Sequence, residues 1–334
     1  MRPASRSSRG AAALALLGAA LLCAGACVRR VDLEPPADGT GGDDVPPGTV
    51  PGHGDAATLD IASWNLEWFG DPNMDPADDA LQLKNVHEVV ADTDFDIWGF
   101  VEVVDAARWA SLKSQLPGYA GFLANEPNVV DGPAYYSDFG DTEQKVGILY
   151  KSSIATVLDA RVILTANDYD YGGRPPMQVT LRVSLNGVTD DIIVIVQHPK
   201  CCSDTPSWQR RVNASNALKA YLDATFPTQK VWVIGDFNDD LDTSIATGNP
   251  SPYANFVGDP ARYKFPTQAL TLAGIGTTVG YRSTIDHHLN TNESNALYIP
   301  DSVTVDRVDQ YIPGYGTTTS DHYPVLSRYA WRGP

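Results

Sequence analysis

From Thr58 to Trp64 the chain reads TLDIASW. Apolar and polar residues alternate with a period of two, which predicts a strand ending near Asn65. Ala80, Leu83, Val86 and Val90 then recur at helical spacing, predicting a helix over Pro76–Ala91. Phe95–Val104 (FDIWGFVEVV) is a short apolar run, read as a buried strand with Glu102 near its end. A second helix is expected over Ala106–Gln115, followed by a polar Gly/Asp/Tyr-rich loop from Asn125 to Glu143. Val146–Tyr150 and Ile154–Leu164 read as paired strands. Met177–Ser184 and Ile192–Gln197 read as another pair, with Asn186-Gly187 as the hairpin turn between them. Over Pro206–Phe226 an amphipathic helix is predicted, with Trp208, Val212, Ser215, Leu218 and Leu222 on one face. Lys230–Ile234 reads as a buried strand ending at Gly235. Arg282–Leu289 and Val325–Trp331 read as the last strands. Many strands, some adjacent and some separated by helices, fit an α/β fold: a four-layer α/β/β/α sandwich of two packed, mostly antiparallel sheets.

The N-terminal stretch does not follow this pattern. Arg2, Arg6 and Arg9 precede the apolar stretch Ala11–Leu22, and Ala24, Gly25 and Ala26 precede Cys27. This reads as a secretory signal over 1–26, too short for a comfortable membrane span. The cysteine after small residues resembles a bacterial lipoprotein signal with Cys27 as the lipidated residue. Plain secretion and an uncleaved anchor are the alternatives. The resulting expectation is an exported protein tied to a membrane through an N-terminal lipid. From Val28 to about Thr58 Pro, Gly and Asp dominate without an apolar period, so 27–57 is read as the lipidated cysteine and a flexible tether. The remainder, 58–334, reads as one large domain.

Of the 334 residues 43% are hydrophobic and 19% charged, enough apolar content for a sizeable core. The formal net charge of −17 argues against holding polyanions through a broad basic surface. It does not exclude a nuclease, because a metal site and a few arginines supply local positive charge. Cys201 and Cys202 are adjacent, in His198-Pro199-Lys200-Cys201-Cys202. They are open to three readings: a strained vicinal disulfide, two separate thiols, or a zinc site with His198.

Polar clusters sit where the predicted strands end: Trp64-Asn65-Leu66-Glu67, Glu102, Arg174-Pro175-Pro176, His198, Gly235-Asp236-Phe237-Asn238, Ile285-Asp286 and Ser320-Asp321-His322. Strand ends are where a rigid sheet fixes functional loops. Asn65, Glu67, Glu102 and Asp321 offer hard oxygen atoms suited to Mg²⁺ or Mn²⁺, with Ca²⁺ also compatible. His198 and His322 can serve as acid, base or phosphate donor. Arg174 carries a forked donor that fits phosphate. Each signal has a plainer reading: a strand-end Glu is usually solvated, Arg-Pro-Pro is usually a loop, and Asp236 with Asn238 can simply build an Asx turn.

In this order the motifs resemble the endonuclease/exonuclease/phosphatase superfamily, which includes DNase I-like nucleases, bacterial sphingomyelinases and inositol polyphosphate phosphatases. The resemblance runs from Leu59 to the C-terminus and is carried most specifically by Gly235-Asp236-Phe237-Asn238 and Ser320-Asp321-His322. It implies the four-layer sandwich and a metal-assisted attack of water on a phosphoester. By resemblance Asn65 and Glu102 are the metal-site pair, Glu67 a second acidic ligand, and Asp321 a carboxylate near the metal. Asp236 and Asn238 would position the water and a phosphate oxygen. His322 would be the catalytic histidine, oriented by Asp286. His198 would donate to a non-bridging oxygen, and Arg174 would grip a substrate phosphate. Whether Asp236 or His322 is the base stays open. The chain departs from the pattern around Val101 and around Pro199–Cys202, and Glu143 or Gln144 is the expected support of His198. A nuclease acting on DNA or RNA is the leading expectation. A lipid or small-molecule phosphoesterase and a non-catalytic binding relative are the alternatives. No protein partner is indicated.

Overall fold

The structure is a computed structural model, and it describes residues 49–136 and 143–332. The expected leader and most of the tether lie outside the described residues. The end of the tether stretch belongs to the folded body: Val50 is buried in the core, and the Gly54 N–H donates to the Thr93 carbonyl at 2.7 Å. Among the described residues no helix is long and apolar enough to cross a membrane.

Among the described residues twelve strands form two six-stranded sheets. The first contains β1 (Leu59–Phe69), β2 (Ile97–Val103), β3 (Tyr119–Leu123), β4 (Lys145–Lys151), β11 (Thr304–Val305) and β12 (Val325–Tyr329), in the order β11-β12-β1-β2-β4-β3. The second contains β5 (Ala155–Val162), β6 (Met177–Leu185), β7 (Val188–Gln197), β8 (Val231–Asp236), β9 (Tyr263–Lys264) and β10 (Asp286–Thr291), in the order β5-β6-β7-β8-β10-β9. Among the described strands one neighbouring pair in each sheet is parallel, β1 with β2 and β7 with β8. The expected two-sheet α/β sandwich is therefore present.

Three apolar clusters separate four layers. Val86, Val89 and Val90 of the helix Asp79–Thr93, with Trp109 and Leu112 of the helix Ala106–Ser114, pack on Trp64, Trp98 and Phe100 of the first sheet. Leu218 and Leu222 of the helix Thr205–Thr225 pack on Ile193, Ile195, Val231 and Val233 of the second. Between the sheets lie Leu59, Ile61, Ile97, Val179, Val194, Val196, Trp232 and Ile234. The sheets approach so closely here that a Cβ on Gly99 would meet Ile234 Cδ1 at 2.7 Å.

Local chemistry explains the boundaries. Asp78 caps the helix Asp79–Thr93 by accepting from the N–H groups of Ala80 and Leu81, and Asp105 caps Ala106–Ser114 likewise. Asn186 and Gly187 both take positive φ (52° and 76°), the geometry of the expected tight hairpin. Two expectations are corrected, and one strand has no counterpart among the expected elements. The strands read as a pair over Val146–Tyr150 and Ile154–Leu164 lie in different sheets: β4 pairs with β2 and β3, and β5 with β6. The unforeseen strand β3, with Ala120 and Gly121 in its middle, takes the edge of β4. The buried face of the helix Thr205–Thr225 runs through Ser207, Arg211, Ala214, Ser215, Leu218 and Leu222, not through Trp208 and Val212. The fully buried Arg211 sits on that face because Asp239 accepts from its Nε at 2.9 Å.

Candidate active site

Strand parity builds the site. Along β7, Ile192, Val194 and Val196 face the other sheet, and the next residue of that parity is His198. Along β8 the series is Trp232, Ile234, Asp236. Along β1 it is Leu59, Ile61, Ser63, Asn65. The apolar space between the sheets thus ends in a polar cluster at one rim. Bends in the strands aim the rest: Glu67, Glu102 and Asn238 take left-handed backbone (φ 47°, 61° and 55°), conformations that cost energy for residues with a side chain. Gly235 sits at φ 133°, where a Cβ would meet the Gln197 carbonyl oxygen at 2.2 Å.

Asn65 is the hub. Its Nδ2 donates to Glu102 Oε1 (3.0 Å) and Asp236 Oδ2 (3.1 Å), and its Oδ1 accepts from the Glu67 N–H at 2.9 Å. Asp236 divides its two oxygens. Oδ1 accepts from the Asn238 N–H at 2.7 Å and closes an Asx turn, while Oδ2 lies 3.5 Å from His198 Nε2 and 3.8 Å from His322 Nε2. The plain reading and the functional one thus hold for different atoms of one side chain. Asn238 Nδ2 donates to the Pro199 carbonyl at 3.1 Å, tying the loop after β8 to the loop after β7.

His322 Nδ1 lies 2.8 Å from Asp286 Oδ2, which leaves Nε2 facing Asp236. Burial opposes its charged form, but Asp286, Asp321 and Asp236 outweigh that and hold the imidazole well above the ordinary histidine range. His198 behaves oppositely. Burial, reinforced by Arg174, His322 and Lys200, pushes it well below that range, so it is a neutral donor. Its Nε2 also lies 3.5 Å from Glu102 Oε1, and its buried Nδ1 has no hydrogen-bond partner. Gln144 is not its support: Gln144 Oε1 accepts from Arg174 Nη1 instead. Arg174 Nη2 donates to the Pro199 carbonyl at 3.3 Å, which places this guanidinium beside the His198 loop.

Glu67, Glu102 and Asp321 form an acidic group next to these residues. Burial, then Asp321 and Glu102, drive the Glu67 carboxyl far above the carboxylate range. Glu102 is raised by burial and by Asp321. Glu67 Oε2 is buried without a hydrogen-bond partner. Crowded carboxylates with an orphaned buried oxygen fit a hard divalent cation, which would remove the repulsion. Asp236, Asp286 and His322 also bring ligand-type atoms within 4.8 Å of one another. The short Asp286–His322 contact engages Nδ1 and orients the ring, leaving Nε2 toward Asp236. The cysteines take no part: His198 Nε2 faces carboxylates, and the two sulfurs face Lys200.

Several supporting residues carried no assigned role in the sequence. Gln82 is fully buried and donates from Nε2 to the carbonyls of Leu66 (2.7 Å), Glu67 (2.9 Å) and Thr319 (3.2 Å), clamping the bent end of β1. Ser320 Oγ donates to the Asn65 carbonyl at 2.7 Å and accepts from the His322 N–H at 2.9 Å. Trp64 Nε1 and the Tyr315 hydroxyl both donate to the His322 carbonyl. A glutamine within an amphipathic helix carries no local sign of this task. Only its place on the apolar face, one residue before Leu83, hints at it.

Residues 62–322 match the model of the Endonuclease/Exonuclease/phosphatase family. A search of curated proteins returned no match. Among solved structures the chain is similar to a humanized D. rerio TDP2 (16% identity, 82% of this chain and 99% of that one covered, TM-score 0.57). It is likewise similar to an endonuclease/exonuclease/phosphatase from Bacteroides vulgatus (17% identity, 82% and 99% covered, TM-score 0.57). The human Nocturnin catalytic domain with bound sulfate is a third (16% identity, 83% and 95% covered, TM-score 0.53). These likenesses carry the fold. The family match spans most of the chain and both rims of the site, and the chain belongs to the endonuclease/exonuclease/phosphatase family of phosphoester hydrolases.

Proposed function

We propose that this protein is a Mg²⁺-dependent phosphodiesterase, an exported endonuclease that attacks nucleic acid in line with water. The observation that carries the reading is the position of Asp236 Oδ2, between Asn65, His198 and His322. A cation held by Glu67, Glu102 and Asp321, with Asn65 Nδ2 tying Glu102 to Asp236, would supply positive charge to phosphate oxygens. Neutral His198 donates its Nε2–H to a non-bridging oxygen as charge grows there. Asp236 takes up the proton of the attacking water beside the charged His322 ring 3.8 Å away, and Asp286 holds that ring in place. Arg174 grips a flanking phosphate. One solved neighbour is described as a TDP2 complexed with a single-strand DNA product, which supports a nucleic-acid substrate. The Arg-rich leader and Cys27 support export and a lipid anchor.

The test is nicking of supercoiled plasmid with Mg²⁺, with EDTA and with His322→Ala. The reading predicts nicking that needs metal and is lost in the variant. Folded wild-type protein that leaves plasmid intact but hydrolyses a sugar phosphate would overturn the nuclease reading. A neighbour described as a mannosyl-6-phosphatase makes that the proper control (17% identity, TM-score 0.50).

A further inference from the structure

The segment after His198 carries chemistry that phosphoester hydrolysis does not use. Cys201 Sγ lies 2.9 Å from Cys202 Sγ, and Lys200 Nζ lies 3.1 Å from the first sulfur and 3.8 Å from the second. Both cysteines are half-buried. Cys202 takes φ 89°, a turn of the backbone that brings the neighbouring side chains together. The backbone around them is clamped. Arg211 Nη1 donates to the carbonyls of Lys200 (2.9 Å) and Cys202 (2.8 Å), and the Pro199 carbonyl accepts from Asn238 and Arg174.

Two consequences follow. The sulfurs are held in contact before any reaction, so closing a bond between them costs little further chain entropy. The thiolate is the form that attacks disulfides, and Lys200 Nζ stands within donating distance of the Cys201 sulfur.

We propose that Cys201 and Cys202 are a redox-modification site that closes reversibly into a vicinal disulfide by exchange with small-molecule disulfides. One thiolate attacks the reagent RSSR, forms a mixed disulfide and expels RS⁻. The second thiolate attacks the protein sulfur, forms the Cys201–Cys202 bond and expels the other RS⁻. Two electrons pass from the cysteines to RSSR, and the two thiol protons end on two RSH. The bridge joins Cα atoms about 3.8 Å apart, below the usual span of about 4.4–6.8 Å. Such a bond is strained and readily reduced, the labile kind of disulfide rather than the structural kind.

The site bears on substrate through Lys200. A Cβ on Gly172 would lie 3.6 Å from both Arg174 Nη2 and Lys200 Cδ, so the two cations are neighbours beside the His198 loop. Bridging takes the Cys201 sulfur away as the partner of Lys200 Nζ and frees the ammonium toward a phosphate next to Arg174. This consequence rests on the phosphodiesterase reading; the disulfide does not.

The experiment equilibrates the full chain with glutathione disulfide, quenches in acid, alkylates, and analyses the proteolytic peptide containing both cysteines by mass spectrometry. The expected product is a peptide two hydrogens lighter with neither cysteine alkylated, reverting fully with excess thiol. In Cys202→Ser the remaining cysteine should stop at the glutathione adduct, and in Lys200→Met bridging should slow. A wild-type peptide that stays glutathionylated, or that remains fully alkylatable, overturns the proposal. Where the enzyme is active, KM for the phosphodiester should fall about tenfold on oxidation with kcat unchanged, the worth of one charge-assisted contact, and should not fall in Lys200→Met. A bridge that forms without moving KM overturns the Lys200 coupling. A bridge in a protein with no phosphodiesterase activity overturns the functional reading and leaves the redox site standing.

Discussion

Two polar clusters lie between the same two sheets, and they are built on different terms. In the middle, His288 is fully buried with both ring nitrogens engaged: Nε2 with Ser63 Oγ at 3.1 Å and Nδ1 with Ser327 Oγ at 2.6 Å. Ser327 continues to the Tyr329 hydroxyl, which donates to Asn290 Oδ1 at 3.1 Å. At the rim, Glu67 Oε2, His198 Nδ1, Asp286 Oδ1 and Arg174 Nε are buried without hydrogen-bond partners. The first cluster holds the two sheets together and stays neutral, with His288 pushed down to about 3 by burial. The second concentrates charge that the fold does not neutralise. In the first cluster the histidine is fully paired and the atom left over, Asn290 Nδ2, is uncharged; at the rim the unpaired atoms belong to ionisable side chains, and such groups are explained by what they bind.

The largest expected effect separates the clusters by function. His322→Ala should lower kcat by about a thousandfold or more while the melting temperature stays near that of wild type. Circular dichroism melts beside the nicking assay check this, and a large loss of stability would place His322 with the structural cluster. A second test uses stability without metal. The raised Glu67 carboxyl is stabilising only in its protonated form: its contribution is present below the ordinary Glu value and is lost as pH rises through the higher folded value. Glu67→Gln should therefore stabilise the metal-free protein near pH 7.5 by about 1 kcal/mol or more, measured by urea unfolding in EDTA. A destabilised variant would mean that the carboxylates do not repel.

His288→Gln probes the other cluster. Because folding depresses the His288 value, its contribution is fully present above about 6.5 and is lost as pH falls toward about 3. The wild-type protein should lose about 1.4 kcal/mol per pH unit more than the variant below pH 6, with the variant less stable at pH 7.5. An unchanged pH slope would contradict a neutral, buried His288. The smallest effect is expected outside both clusters: Lys84→Ala breaks an exposed 3.4 Å pair with Glu88 and should shift stability by under about 0.5 kcal/mol.

The central strands, the long helix and the Asn186-Gly187 hairpin were legible because period and turn chemistry agreed there. The residues of the rim were legible as strand-end polar groups, and the structure draws Asn65, Glu102, His198, Asp236, Asp286 and His322 together. The partition of β4 and β5 between two sheets was not legible, since period two says that a segment is a strand but not which partner it takes. Nor was the Arg211 face of the helix Thr205–Thr225, because an arginine becomes a core residue only when Asp239, distant in sequence, pairs with it. Gln82 was hidden for the same reason: its partners are backbone carbonyls brought together by the fold.

The unsatisfied rim carboxylates are expected to hold a divalent cation. Calorimetric titration of Mn²⁺ into the metal-free protein, wild type beside the Glu67→Gln/Glu102→Gln double variant, tests it most directly. Saturable binding by the wild type and none by a folded double variant is the expected result. Equal binding by the two proteins would contradict it.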